Sequence, residues 1–391
     1  MAVKGVFASD QNIQGTRKGD FASALLQIDP TGSAPLLALS SGMESIGAVD
    51  VVVHWFEENH ISGRDTITNN ATTGTTLVFG DGTSYVAGTI LLIETTGEYV
   101  YIESITGSSA TVKRGLGGTT NTSINGSSTA VPCQRIATAY EEGSAKPTSV
   151  ANIGYPRFNY MQNFRNAWDV TGTAKVVEYH TGNLVAKNKR DAALFHAEDM
   201  ERAVIWGKKD IGVMNAKPFR LMDGILSQIT TNVTAQSTNV EWDDLDGFLQ
   251  TIFEKNIKGK PNERIAFCGN TVISVINKIA RLEGTIDIAV GQTDFGLEVN
   301  KWRTPYGSVT LMTHPLMNES PLWTKDLMVL HPGAIRTRWL RRTMEDNYDK
   351  DGTRAGADAD FGVLTSEMCV EYRAEVTGGL YTGIDTAVVT S

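Results

Sequence analysis

Ala186-Lys-Asn-Lys-Arg-Asp-Ala-Ala-Leu-Phe-His-Ala-Glu-Asp-Met-Glu-Arg-Ala-Val-Ile-Trp-Gly207 contains no proline, and its only glycine is the last residue. Such a run predicts one long helix closed by that glycine. Ala193, Ala197, Met200 and Val204 fall at i, i+4, i+7 and i+11, a narrow apolar stripe expected to face a core. Glu198 and Arg202, four apart, support the same helix. At 1.5 Å per residue it would measure about 33 Å. That is long for a compact enzyme core and suits a spine.

Downstream the pattern alternates. Leu245, Phe248, Leu249, Ile252, Phe253 and Ile257 mark an amphipathic helix, with Asp243 and Asp244 at its positive end and Gly259 past its close. Ile265 to Cys268 reads as a buried strand. Asn270 can cap a second helix that turns Val272, Val275, Ile276, Ile279 and Leu282 inward and ends at Gly284. Strands are expected at Val309–Met312, Leu327–Leu330, Ile335–Trp339 and Met368–Val376, the last with Met368, Val370, Tyr372, Ala374 and Val376 on one face. Local pairs without a long βαβ succession make the class α+β.

Upstream, the first 55 residues are punctuated by Gly5, Gly15, Gly19, Pro30, Gly32, Pro35, Gly42 and Gly47, and their apolar residues come in short clusters, Ala24–Ile28 and Leu36–Leu39. Such a segment cannot bury those clusters alone and is expected to lie across its own body or a neighbouring chain. From Ser104 to Ala130, 17 of 27 residues are Ser, Thr or Gly. Low complexity alone would indicate a linker. Strand signals at Ile90–Glu94, Tyr99–Ile105 and Ala110–Arg114, separated by Thr-Thr-Gly and Gly-Ser-Ser turns, predict a meander instead. Residues about 66–140 are therefore expected to form an inserted β subdomain. Asn159 to Asn183 reads as extended chain with turns at Gly172 and Gly182.

Composition narrows the function. The chain has 391 residues, 35 Lys+Arg and 44 Asp+Glu, a net charge of −9, and only 20% charged residues. No apolar run approaches the length of a membrane span, and Met1–Asp10 lacks a basic region followed by an apolar run. The negative charge is spread out: residues 1–55 carry 3 basic and 5 acidic groups, 56–150 carry 5 and 9, and 151–391 carry 27 and 30. A sequence-specific nucleic-acid reader is not expected from that distribution. One local exception is Arg336, Arg338, Arg341 and Arg342, followed by Glu345, Asp346, Asp349, Asp351, Asp358 and Asp360. Three readings stand for it: a solvated strand and loop, a charge contact between subunits, or a phosphate site, which the adjacent carboxylates disfavour.

Catalytic signatures are missing. The six histidines, His54, His60, His180, His196, His314 and His331, form neither HExxH nor HxH, and Cys133, Cys268 and Cys369 form no CxxC, so neither a zinc site nor any other cofactor is expected. There is no GxSxG and no GxxxxGK[ST]. Gly115-Leu-Gly117-Gly118 follows a strand but precedes Thr-Thr-Asn-Thr-Ser, so turn chemistry explains its glycines. Glu57-Glu58 and Glu141-Glu142 are chain neighbours and point to opposite faces in a strand. Trp55, Trp168, Trp206, Trp242, Trp302, Trp323 and Trp339 are scattered one per element, the pattern of core or interface anchors.

The order of parts resembles the major capsid proteins of tailed bacteriophages, the Hong Kong 97-type fold. Gly19-Asp-Phe-Ala-Ser-Ala-Leu25 followed by Ile28-Asp-Pro30 is similar to the arm opening of one subgroup. His54-Trp-Phe-Glu-Glu58 is similar to its first excursion strand, and Asn159-Tyr-Met-Gln-Asn-Phe164 with Val170-Thr-Gly-Thr173 to its return strand. The resemblance implies an N-terminal arm over residues 1–50, an extended loop over 51–183 lying on the adjacent subunit, and a peripheral domain with the spine helix over 184–212. It further implies an axial domain over 213–325 and closing peripheral strands over 326–391. It implies a non-enzymatic shell protein without cofactors, which self-assembles into hexamers and pentamers of an icosahedral head in the host cytoplasm and ends in the virion. Its partners would be further copies, a scaffolding protein, a portal, a decoration protein and packaged double-stranded DNA bound without sequence specificity, and no membrane. Met1 leads directly into arm-like sequence, which implies a separate scaffolding protein or a chain already trimmed. Expected contacts between subunits are Trp55, Glu57, Glu58, Arg336, Arg338, Arg341, Arg342, Glu345 and Asp346. Mild negative charge would limit sticking to packaged DNA. A tail-tube protein, which the long helix disfavours, and an enzyme of unrecognised class are the alternatives.

Overall fold

A computed structural model describes residues 45–58, 60–179, 182–236, 240–283, 289–294, 297–346 and 358–385. The expectations for the arm's apolar clusters, for Gly284 as a helix end, and for Asp349 and Asp351 lie outside those residues. The chain divides into two units, Trp55–Arg157 and the remainder.

After β1 (Ser45–Gly47) and β2 (Val52–Glu57), the inserted unit contributes β3 (Arg64–Ile67), β4 (Asn70–Ala71), β5 (Thr76–Val78), β6 (Thr89–Ile93), β7 (Glu98–Thr106), β8 (Ser109–Lys113), β9 (Ile124–Asn125) and β10 (Val131–Thr138). Six of these form one sheet in the order β3-β10-β6-β7-β8-β5. Period-two alternation sets its inner face: Leu91, Ile93, Val100, Ile102, Ala110, Val112 and Cys133 are buried together. Tyr99 and Tyr101, the alternate set on β7, stay half-buried. Gly97 and Gly107 occupy the left-handed region in the two hairpin turns, as glycine can at no steric cost.

Sequence patterning missed the charged pair at the centre of this unit. Glu98 and Arg114 are both almost completely buried. The carboxylate accepts from Arg114 Nε (3.0 Å) and Nη2 (2.5 Å) and from the amides of Gly115 (3.0 Å) and Thr122 (3.3 Å). Arg114 also donates to the carbonyls of Ala71 (3.2 Å) and Thr122 (2.5 Å). The Ser/Thr/Gly-rich stretch is thereby tied down by two ions that satisfy four backbone groups, the condition for burying charge.

The return begins with β11 (Tyr155–Tyr160), which pairs with β2 in a two-stranded ribbon, and β12 (Gln162–Thr171). Gly172 does not make the expected turn. It opens a short helix, α1 (Gly172–Val176), because Thr171 Oγ1 accepts from the Ala174 amide (3.3 Å). The long helix, α2 (Leu184–Trp206), is capped by Asn183, whose Oδ1 accepts from the amides of Val185 (2.9 Å) and Ala186 (3.3 Å). Its buried face is Ala192, His196, Met200, Glu201, Val204 and Ile205. The expected stripe is therefore wrong in its first half, for Ala193 is exposed and two polar residues face inward. Gly207 ends the helix for reasons of space: a Cβ there would lie 2.4 Å from the Ala203 carbonyl oxygen and 2.7 Å from that of Met222.

Past a hairpin, β13 (Asp210–Met214) and β14 (Lys217–Leu221), come α3 (Ile225–Gln228), β15 (Val233–Ala235), α4 (Trp242–Phe253), β16 (Glu263–Cys268), α5 (Asn270–Glu283), β17 (Ala289–Asp294), β18 (Leu297–Thr304), β19 (Gly307–Thr313) and β20 (Leu327–Leu330). β21 (Ile335–Asp346), β22 (Ala359–Tyr372) and β23 (Gly379–Thr382) close the described chain. A seven-stranded sheet runs β15-β23-β20-β16-β19-β18-β17, and α4 and α5 supply its core with Leu245, Phe248, Leu249, Ile252, Val272, Val275, Ile276 and Ile279. Each such side chain contributes about 1.5–3 kcal/mol on full burial. Asn270 does not use its side chain as the cap of α5: its amide donates to Asn318 Oδ1 (2.8 Å) and that of Thr271 to Thr324 Oγ1 (3.4 Å). The last strand stops at Tyr372, short of the expected Val376, because Ala374 adopts φ 48° and turns the chain into β23. The segment from 326 onward thus serves both this sheet, through β20 and β23, and a four-stranded sheet ordered β1-β21-β22-β12.

Candidate assembly surfaces

The four-stranded sheet carries the arginine-rich stretch. β21 and β22 pair antiparallel with register shifts between Trp339 and Arg341 and between Arg341 and Met344, which spread successive side chains over both faces. Arg338 Nε donates to the fully buried Glu371 (2.6 Å), which also accepts from Arg373. Arg341 pairs with Glu367 (2.7 Å), and Arg342 reaches Ser45 Oγ on β1 (3.4 Å). Glu345 accepts from Trp168 Nε1 (3.0 Å) and Lys189 Nζ (3.0 Å), and that ammonium sits 4.5 Å from the centroid of the Trp168 ring. Gly362 makes this crossing possible, since a Cβ there would meet Trp168 Nε1 at 2.7 Å. Arg336 and Asp346 are half-buried in the same strand. Arg338, Arg341 and Glu345 are therefore engaged within their own chain.

On β2, Trp55 is buried in its own chain and donates from Nε1 to Glu57 Oε1 (2.8 Å). Glu57 Oε2 accepts from Tyr155 Oη (3.1 Å), and burial, then the Glu57 charge, push that phenol upward. Glu58 is exposed. With Trp55 facing in, alternation forces Phe56 out, and it is 76% exposed. Sequence reading passed over Phe56, although the pattern Val53–Trp55 carried the signal. It also passed over Ile153 (84% exposed) and Val213 (74% exposed). Val49, Val176 and Leu322 are exposed to a similar degree or more.

One arrangement looks catalytic. His196 on α2 places Nδ1 2.7 Å from Asn166 Oδ1 on β12 and Nε2 2.7 Å from Ser366 Oγ on β22. Spacings of 30 and 170 residues hid this trio from motif searching. Ser366 is fully buried, and its hydroxyl donates onward to Thr343 (2.7 Å). Burial pushes the His196 imidazole down. The trio fastens the long helix to the sheet. A second fastening is the fully buried pair of Glu201 and His314 (2.8 Å), and a third is the stack of Trp206 on Trp323 at 4.1 Å. Among the described residues, no group of three or more His, Cys, Asp or Glu could hold a metal ion, and no helix is long and apolar enough to cross a membrane.

Comparison with known proteins gives these surfaces their context. The family model described as SU10 major capsid protein matches residues 7–385. The major capsid protein of Pseudomonas phage PaMx41 is 27% identical over 98% of this chain and 96% of its own length. A solved structure from Mycobacterium phage Bobi shares the fold at 10% identity, covering 97% of this chain and 99% of the other with a TM-score of 0.50. The capsid of Myoviridae phage XM1 is similar at 9% identity, 97% and 100% coverage and a TM-score of 0.49. The chain belongs to the SU10 major capsid protein family and is a structural phage shell protein of the Hong Kong 97-type α+β fold, not an enzyme.

Proposed function

We propose that copies of this chain form hexamers and pentamers that close an icosahedral head around a double-stranded DNA genome. Membership of a family of phage major capsid proteins carries this reading, and the exposed apolar side chains Phe56, Ile153 and Val213 are candidate contact points. The arm (residues 1–50) and the extended loop (51–183) would reach neighbours, while 184–212, 213–325 and 326–391 supply the peripheral and axial bodies. Glu58, Arg342 and Asp346 would touch neighbours directly. Trp55, Glu57, Arg336, Arg338, Arg341 and Glu345 would act by holding the strands that do. Assembly takes place in the host cytoplasm with a scaffolding protein and a portal, and the inserted unit offers a seat to a decoration protein. A net charge of −9 limits adhesion to the packaged DNA; a strongly basic inner lining of the shell would refute that point.

Negative-stain electron microscopy of the purified chain, with and without scaffolding protein, tests the whole. Shells or capsomers with five- and six-fold symmetry are expected. Stacked rings would indicate a tube protein, and a strictly monomeric species under both conditions would overturn the proposal.

A further inference from the structure

We propose that the outer edge of strand β13 in the hairpin Asp210–Leu221 is the seat for the N-terminal segment of a neighbouring copy, residues 20–29. The inference rests on the shell reading, which supplies the neighbour. What it adds is the receiving surface.

Among the described residues the hairpin forms a two-stranded sheet with no third strand. Such a pair is marginal in water. Its register joins Met214 to Lys217 across the two-residue turn Asn215-Ala216, so Val213 opposite Pro218 and Ile211 opposite Arg220 are non-hydrogen-bonded pairs. Their backbone groups point away from the partner strand. On β14 that outward row lacks a donor at Pro218. On β13 Val213 keeps both outward groups and Ile211 its carbonyl, while the Ile211 amide donates only to the exposed neighbouring side chain Asp210 Oδ1 (2.8 Å), a contact an added strand can replace. The donor missing at Pro218 cannot be restored, so an added strand fits β13 better than β14. Ile211, Val213 and Met214 are all more than half exposed, which is the apolar half of a docking site.

Charge selects the occupant. Lys208, Lys217 and Arg220 outweigh Asp210 along the hairpin, while Lys209 is already held by Asp223 (3.5 Å) and lies 4.7 Å from the Phe158 ring centroid. A basic, apolar edge in a chain of net −9 fits an acidic, apolar strand. Residues 19–45 contain Asp20, Asp29 and Glu44 and no Lys or Arg, and between the two aspartates lie Phe21, Leu25, Leu26 and Ile28. The 15 residues from Pro30 to Glu44 connect this segment to β1 and span up to about 50 Å when extended, which is ample to leave the parent chain.

The test uses the full chain carrying Leu26→Cys and Val213→Cys, assembled and treated with a short bis-maleimide. The native Cys133, Cys268 and Cys369 are buried and do not compete. A ladder of dimers and higher multiples on a denaturing gel is expected from the double variant, with each single variant remaining at monomer mobility. In parallel, amide exchange at Val213 should slow at least tenfold on assembly, and Leu25→Asp with Leu26→Asp should abolish that slowing. Shells that form without cross-linking overturn the seat while leaving the shell reading intact. Cross-linking confined to monomer mobility shows the chain's own segment on the hairpin and also overturns it. A wild type that forms neither shells nor capsomers overturns both readings.

Discussion

Strand β20, Leu327–Leu330, is buried at all four positions and has a titrating group at each end. His331 follows it, and burial together with the nearby Arg264 charge holds the imidazole down to about 4. Asp326 precedes it, and burial pushes its carboxyl up to about 6. The two act with opposite sign. A histidine whose folded pKa lies below its unfolded value of about 6.5 binds protons more readily when unfolded, so its contribution is full above that value and falls as pH drops toward 4. At about 1.4 kcal/mol per pH unit, the loss is about 3 kcal/mol. An acid whose folded pKa lies above its unfolded value of about 3.9 contributes fully below that value and loses the contribution as pH rises to 6. Asp326 is only half-buried, so its share is about 2 kcal/mol. Between pH 4 and 6 the slopes oppose, and the wild-type curve should rise less steeply than that of Asp326→Asn. His331→Asn should leave stability falling by about 2 kcal/mol across that window, and Asp326→Asn should leave it rising by about 3. His196, also held low by burial, adds to the rising side in every variant. Urea midpoints of unassembled subunits, read by tryptophan fluorescence at pH 4, 5, 6 and 7, measure the slopes. Parallel slopes in the two variants would refute the reasoning, whatever the absolute cost of either substitution.

Other perturbations give simpler readouts. Glu98→Ala strands a buried guanidinium and should cost the inserted unit about 3–5 kcal/mol, seen as lost amide protection on β7 and β8. Pairing Glu98→Leu with Arg114→Met should not restore it, because two amides and two carbonyls stay unsatisfied; full recovery would show that these backbone bonds matter little. Gly362→Ala should cost about 1–3 kcal/mol in thermal melts and alter the near-ultraviolet dichroism of Trp168, whose ring it displaces. Ala216→Gly should stabilise the hairpin by about 1 kcal/mol by relieving an L-residue at φ 60°, with unchanged amide exchange at Gly212 and Phe219 as the contrary result.

The sequence revealed elements better than faces. The two amphipathic helices were legible because burial on one side leaves a periodic trace, the strand Leu327–Leu330 because burial on both sides leaves a short continuous apolar run, and the long helix because its run is free of glycine and proline up to Gly207. The inward face of the long helix was not, because His196 and Glu201 face the sheets and their neighbourhood, and only a partner such as Ser366 or His314 makes that burial affordable. Likewise Glu98 breaks the apolar alternation of β7, and its partner Arg114 follows a turn and another strand. Gly207, Gly224 and Gly362 look like turn residues in sequence, yet each is required by the close approach of a neighbouring element. The arginine stretch was legible as a charged strand, but the assignment of its charges was not. Glu367, Glu371, Trp168 and Lys189 come from distant segments that only the sheet order brings beside it.

That assignment bears on how subunits hold together. If Arg338, Arg341 and Glu345 were the chief links between copies, added salt would dissociate the shell, because exposed ion pairs are screened over about 10 Å at 0.1 M. They are instead satisfied inside one chain, Arg338 against a completely buried carboxylate. Large apolar side chains do face water, at Phe56, Ile153 and Val213, and so does the outer edge of β13, where Lys208, Lys217 and Arg220 confine the charged share of the contact. Contacts built from apolar area and strand pairing are insensitive to moderate salt and strengthen in sulfate. Capsomer dissociation should therefore change less than threefold between 0.05 and 0.5 M sodium chloride and should slow in ammonium sulfate. A steep loss of shells with sodium chloride would place the binding energy back in the charges and would require the pairs seen within one chain to exchange for pairs between chains on assembly.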